Sequence, residues 1–147
     1  MKILDTEKIL EYQRRTVKGA KSRLIIISPY IQIDNYLLKS LVESSEKGVG
    51  IILICGKTAL KKDEREKLSK INKLELFFLP ELHAKCIIND DFAILSSMNL
   101  YDASKTNFEL GCLISKQYDN KVYTELETEC FKIYQNSKQY RIDLVRW

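Results

Sequence analysis

The sequence predicts one layered α/β domain, a mixed β-sheet flanked by helices, and three observations predict it. Two runs, 23–30 (RLIIISPY) and 49–55, each centre on a continuous aliphatic stretch, the pattern of strands buried on both faces of a parallel sheet. Around them apolar residues recur at helical intervals. Residues 82–95 then form two short apolar runs around Asn-Asp-Asp, the signature of a hairpin. With 147 residues, 45% of them hydrophobic, and only five Gly and two Pro, residues 1–147 have the size of a single domain with enough apolar surface for a substantial core.

Residues 5–18 carry Ile9, Leu10, Tyr12, Gln13 and Val17 at helical spacing, with Asp5 or Thr6 as N-cap and Gly19 as the stop. Pro29 ends the first buried strand. Asp34 opens a second helix through Tyr36, Leu37, Leu38, Leu41 and Val42, which Gly48 closes, so with the strand at 49–55 the chain begins as a βαβ unit. Residues 57–72 form a charged helix with a thin apolar stripe of Leu60, Leu68 and Ile71. Its lysines alternate with acids, which marks a solvated, salt-bridged face rather than a polyanion-binding one. A third strand follows at 74–79, then the hairpin, a polar loop at 100–107 and a strand at 108–115. Asp119 caps a last helix that turns Val122, Leu126, Cys130, Ile133 and Tyr134 to the core. The aromatic, basic tail 138–147 is open between an edge strand, a partner surface and a continuation of the chain.

Twenty-four basic against twenty acidic residues leave a net charge of +4, which permits a polyanionic partner without demanding one. Cys55, Cys86, Cys112 and Cys130 each sit among apolar residues with no second ligand at metal-binding spacing. They are expected to be core thiols in a reducing compartment. The N-terminus, MKILDTEKIL, is acidic early and has no long apolar run. The expectation is therefore a cytoplasmic protein with no signal peptide and no membrane anchor.

Chemistry concentrates in residues 82–111, which hold the only histidine, His83. His83 and Lys85 lie two apart in an apolar run read as a buried strand, so they share a face. If residues 89–91 form the loop, Ile88 pairs with Phe92 and Ser97 falls opposite His83; a two-residue loop puts Ser96 there instead. Either register brings a hydroxyl to the imidazole, with Asn99 just beyond and Glu109 near in sequence. A buried lysine costs several kcal/mol unless something pairs with it, which favours anion handling at His83 and Lys85.

The spacing His83-x-Lys85-x4-Asp90, then Ser96-Ser97-x-Asn99, then Asn107-x-Glu109-Leu110-Gly111, resembles the active-site signature of the phospholipase D superfamily, the HKD phosphodiesterases. The triple alone is a weak signal. The Ser-Ser-x-Asn step, the Asn-x-Glu step and the strand-turn-strand context make it specific. The step from Asp90 to Ser97 is one residue shorter than is usual in the family, and Ser96 stands where glycine is common, which shortens the hairpin turn. The resemblance implies a phospholipase D-like fold and a phosphodiesterase like the small single-motif nucleases of that superfamily.

In that reading neutral His83 is the nucleophile and forms a phosphohistidine. Glu109 accepts from its other nitrogen, Lys85 supplies fixed positive charge, and Ser97 and Asn99 donate to phosphate oxygens. Asp90 either joins the site or only fixes the turn. Tyr30 is open between site edge and core, and Tyr101 and Lys105 are candidate substrate contacts. Nothing in the set requires a metal or other cofactor. One histidine cannot both attack and protonate the departing alkoxide from the opposite side. In the resembled superfamily two motifs meet across a two-fold axis, so a homodimer with one shared site is expected. Nucleic acid, DNA or RNA, is the expected substrate and no membrane partner is expected. The alternatives are a phospholipase D-type lipid phosphodiesterase and a non-catalytic nucleic-acid-binding module.

Overall fold

The computed structural model describes residues 1–56, 60–100 and 107–140. Among them the chain runs β1 (Lys2–Leu4), α1 (Thr6–Lys18), β2 (Arg23–Ile27), α2 (Asn35–Glu46), β3 (Gly50–Cys55), α3 (Lys62–Ser69), β4 (Leu74–Phe78), β5 (Cys86–Asn89), β6 (Phe92–Ser96), β7 (Gly111–Ser115), α4 (Asn120–Asn136) and β8 (Lys138–Tyr140). The strands form one mixed sheet in the order β1-β7-β6-β5-β2-β3-β4-β8. β2, β3 and β4 are parallel, and every other pairing is antiparallel.

A strand apolar at four successive positions, as β2 is from Leu24 to Ile27, needs cover on both faces, and β2 has it. Leu24 and Ile26 pack with Leu37 and Leu41 of α2 and Leu68 of α3. Ile25 and Ile27 pack with Tyr123 and Cys130 of α4. Each such side chain, buried, contributes roughly 1.5–3 kcal/mol. The two parallel crossovers carry α2 and α3 to the same face, as right-handed connections must, and α1 joins them there.

Asp5, rather than Thr6, caps α1, accepting from Lys8 N at 2.9 Å. Asp34 caps α2 through Leu37 N at 2.8 Å. Gly48, at φ +94°, makes the turn into β3 that a side chain would strain.

Several expectations are corrected. The run containing His83 and Lys85 becomes strand only from Cys86, because pairing with β2 stops at Ile27 opposite Cys86 and Pro29 cannot extend it. The strand expected at 108–115 starts at Gly111, leaving Glu109 in the approach to it. The charged helix shrinks to Lys62–Ser69, with 57–59 outside the described residues. Its charge is also not wholly solvated: Glu64, 7% exposed, accepts from Ile33 N at 3.0 Å. Asp119 does not cap α4 through its side chain; it accepts from the Met1 ammonium at 2.8 Å and from Ser115 N at 3.0 Å. Tyr123, absent from the expected core stripe, is fully buried and donates to Asn89 O at 2.5 Å. Residues 138–140 form an edge strand on β4, and 141–147 lie outside the described residues. β1 was not expected, since three residues carry no periodic signal.

The hairpin takes neither expected register. Ile88 faces Ala93, Ile87 faces Ile94 and Cys86 faces Leu95. Asn89 sets this slip: its Oδ1 accepts from Asp91 N and Phe92 N, both at 2.8 Å, and leaves Asp90 and Asp91 as the loop. Ser96 N then donates to Lys85 O at 3.3 Å, so Ser96 stands opposite Lys85, while Ser97 does not stand opposite His83.

Candidate functional site

The sheet has one edge where β2, β3, β4 and β6 end and where β5 and β7 begin, because β5 runs against β2 and β6 against β5. The edge gathers His83, Lys85, Ser96 to Asn99 and Glu109. An edge of strand ends is where an α/β sheet presents loops without disturbing its core.

The segment carrying His83 is held close by Gly56. A Cβ there would stand 2.8 Å from Leu82 Cβ and 2.9 Å from Leu82 O, and Gly56 N donates to Pro29 O at 3.1 Å. Leu82 is buried and anchors the segment, while His83 is exposed. Lys85 is 8% exposed; its Nζ donates to His83 O at 2.7 Å and lies 3.4 Å from His83 Nδ1. Beneath it a cavity of about 10 Å³ is lined by Gln13, Ser28, Lys85, Ser96 and Met98. That is about the room of one water, in a lining that also includes Ile26, Ile94 and Leu100.

Ser28, 1% exposed, aligns the Asn99 segment: its hydroxyl donates to Tyr30 O at 2.6 Å and accepts from Leu100 N at 2.9 Å. Gln32 N donates to Leu100 O at 2.6 Å. Asn99 Oδ1 is buried with no hydrogen-bond partner among the described residues, an unsatisfied polar atom of the kind found at functional sites. Tyr30 is 47% exposed and is an edge residue, not core.

Glu109 is not bonded to His83 among the described residues. The Ser97 hydroxyl donates to its carboxylate and accepts from Leu110 N at 3.1 Å. Thr6 holds the turn, donating to Asn107 O at 2.7 Å and accepting from Glu109 N at 2.9 Å. Gly111 allows this approach, since a Cβ would stand 2.8 Å from Ser96 Cβ and 3.1 Å from Ile9.

Asp90 lies at the other end of β5. Its carboxylate accepts from Lys21 N at 2.7 Å, from Ser22 N at 3.0 Å and from the Ser22 hydroxyl. Burial would raise its pKa, but these donors outweigh it and hold the carboxyl well below the usual range. Its visible work is to pin the hairpin to the turn before β2.

The edge therefore brings together His83, Lys85, Ser97, Asn99 and Glu109 and leaves Asp90 apart. Gln13, Ser28, Thr6, Gly56 and Gly111 were not read as site residues. Of these, Gly111, the last residue of the signature, and Ser28, beside Pro29 at a strand end, carried a sequence signal. Tyr101 and Lys105 lie outside the described residues. Among the described residues no group of three or more His, Cys, Asp or Glu could hold a metal ion.

No curated protein matches the sequence. The sequence profile of a family described as "Cardiolipin synthase, PLD-like domain" matches residues 14–133. Among solved structures the chain is similar to Nuc from Salmonella typhimurium, a phospholipase D family member, with TM-score 0.77 and 16% identity over 95% of this chain and 97% of that one. NucT from Helicobacter pylori gives TM-score 0.77 and 13% identity over 95% and 100%. TrmBL2, an archaeal chromatin protein described as showing a novel mode of DNA binding, gives 0.71 and 16% over 95% and 54%. At these identities the likeness is one of fold.

Proposed function

The chain belongs to the phospholipase D-like domain family, whose profile matches residues 14–133, and from that premise we propose a metal-independent nuclease that cuts DNA or RNA through a phosphohistidine in a site shared by two identical chains. The observation that carries the reading is Lys85. It is an ammonium 8% exposed, seated on the carbonyl of His83 and 3.4 Å from its ring. A cation kept so near an exposed nucleophile suits the charge that develops on a phosphoryl group under attack.

In the proposed reaction His83 Nε2 attacks phosphorus, a P–N bond forms and the P–O bond to the departing alkoxide breaks. The partner's His83 protonates that alkoxide, then removes a proton from the water that hydrolyses the phosphohistidine. Attack through Nε2 needs the proton on Nδ1, where Lys85 is a donor and no acceptor. Incoming phosphate draws the Lys85 ammonium and the Ser97 hydroxyl to its oxygens, which releases the Glu109 carboxylate to accept from Nδ1. Asn99 donates its amide to the same phosphate. Asp90 acts on the hairpin, not on phosphate.

Nucleic acid is favoured by the net charge of +4 and by likeness to a DNA-binding chromatin protein. No helix among the described residues is long and apolar enough to cross a membrane. The dimer is favoured by the single histidine and by Phe108 and Leu110, fully and 69% exposed on either side of Glu109, which a second copy over this edge would cover. The test is cleavage of labelled single- and double-stranded DNA and RNA in excess EDTA. Wild type should cut and His83→Ala should not. A folded dimer that cuts no nucleic acid overturns the nuclease reading; hydrolysis of a phospholipid in its place would point to the lipid chemistry of the family's description.

A further inference from the structure

Two nucleophilic groups outside the phosphate site stand against each other directly behind it. Cys86 opens β5, one residue after Lys85 and three after His83, and Cys130 lies in α4. Their sulfurs are 3.8 Å apart, both are free thiols, and they are 5% and 1% exposed. A disulfide needs its sulfurs about 2.05 Å apart, so an approach of about 1.8 Å would close the bond.

The two thiols are unequal. The hydrogen bond they share, together with burial, pushes Cys86 well above the ordinary thiol range. The same bond, with the Arg23 guanidinium nearby, lowers Cys130. Cys130 is thus the more acidic thiol of the pair. Both thiols lie behind a wall of side chains. A groove of about 470 Å³ runs along α4, lined by Leu95, Ile114, Val122, Leu126 and Glu129. Leu95 is the cross-strand neighbour of Cys86, and Leu126 and Glu129 are one turn and one residue before Cys130. Only a molecule the size of a small hydroperoxide need pass that wall.

We propose that Cys86 and Cys130 are a redox-modification site, closed to a disulfide by a small hydroperoxide, and that closure shifts the start of β5 and with it His83 and Lys85. The Cys130 sulfur attacks a peroxide oxygen and loses its proton, the O–O bond breaks and the departing hydroxide takes that proton to leave as water, giving a sulfenic acid. The Cys86 sulfur then attacks that sulfur and loses its proton, and the S–O bond breaks to release water. Two thiols are oxidised and one peroxide is reduced. A shift of 1 Å at a catalytic group costs about a hundredfold in rate, so an approach of this size is enough to silence the site.

The experiment treats the whole protein with near-stoichiometric hydrogen peroxide and reads two signals that need no enzymatic activity. Denatured, unreduced protein should lose two of its four titratable thiols, and its digest should contain the Cys86–Cys130 linked peptide. Dithiothreitol should reverse both. The ring protons of His83, the only histidine and so a single set of NMR signals, should move on oxidation and return on reduction. In Cys130→Ala, peroxide should leave the His83 signals in place. Four remaining thiols, a bond between other cysteines, or oxygen addition without a bond would each overturn the proposal. A Cys86–Cys130 bond that forms while the His83 signals stay fixed would overturn its coupling to the site. If nuclease activity is present, it should fall at least tenfold with the bond; if absent, the thiol and NMR readouts still decide.

Discussion

Lys85 and Asp90 belong to one sequence signature, and their surroundings give them different work. Lys85→Met keeps the length of the side chain and removes the charge at His83 O and Nδ1. Turnover is expected to fall about 10²- to 10³-fold with the melting temperature little changed, measured on the substrate that wild type cuts. Asp90→Asn should do the reverse. It loses a carboxylate that accepts from Lys21 N, Ser22 N and the Ser22 hydroxyl. The expected loss is about 1 kcal/mol of stability after solvent screening, with activity within about twofold of wild type. The sign of the pH dependence follows. Because folding lowers the Asp90 pKa, its contribution is fully present above the unfolded value near 3.9 and is lost as pH falls through the lower folded value. Thermal melts between about pH 5 and pH 2 should show wild type losing stability that Asp90→Asn lacks already.

At the level of elements, the site depends on a close approach that no side chain in the signature reveals. Gly56 lets the Leu82–Lys85 segment lie on the ends of β2 and β3. In Gly56→Ala the new methyl meets Leu82 backbone and side chain at under 3 Å, so the segment moves. We expect about 1–3 kcal/mol of overpacking cost and a rate loss of about ten- to a hundredfold, read by denaturant melts and cleavage assays. A rate that survives would mean that the segment can shift without carrying His83 out of place. On the opposite face, Tyr123 fastens α4 to the hairpin through its bond to Asn89 O. Tyr123→Phe should cost about 1 kcal/mol and leave turnover intact.

At the scale of the whole molecule, the proposed reaction needs two subunits. Equal mixing of wild type and His83→Ala, after subunit exchange, leaves about one quarter of the dimers with two histidines, and specific activity should fall accordingly if both are needed. Activity that remains at half would mean that each chain acts alone. Leu110→Asp places charge on an exposed residue beside Glu109, so the fold should be untouched. Light scattering should then show weakened association, and activity should become dependent on protein concentration.

The elements with strong local periodicity were legible in the sequence. α1, α2, the buried strands β2 and β3, and the hairpin around Asn89 follow from apolar spacing, caps and turn residues, all of which act within a few positions. The site residues were legible as types for the same reason, since their spacing needs no fold to be seen. Their grouping was not. A one-residue slip, made by the Asn89 side chain closing the turn, sets Ser96 against Lys85 and leaves Ser97 away from the place opposite His83. Glu109 meets Ser97 because Thr6, 103 residues away, fixes its backbone. Asp90, three residues from the strand core and inside the signature, is carried to the far end of β5, where Lys21 and Ser22 satisfy it. By itself the sequence determined the family and the residue types offered for chemistry, because these are matters of residue type and local order. Only the tertiary structure decided which groups touch, because register, close approach and long-range hydrogen bonds are properties of segments that meet after folding.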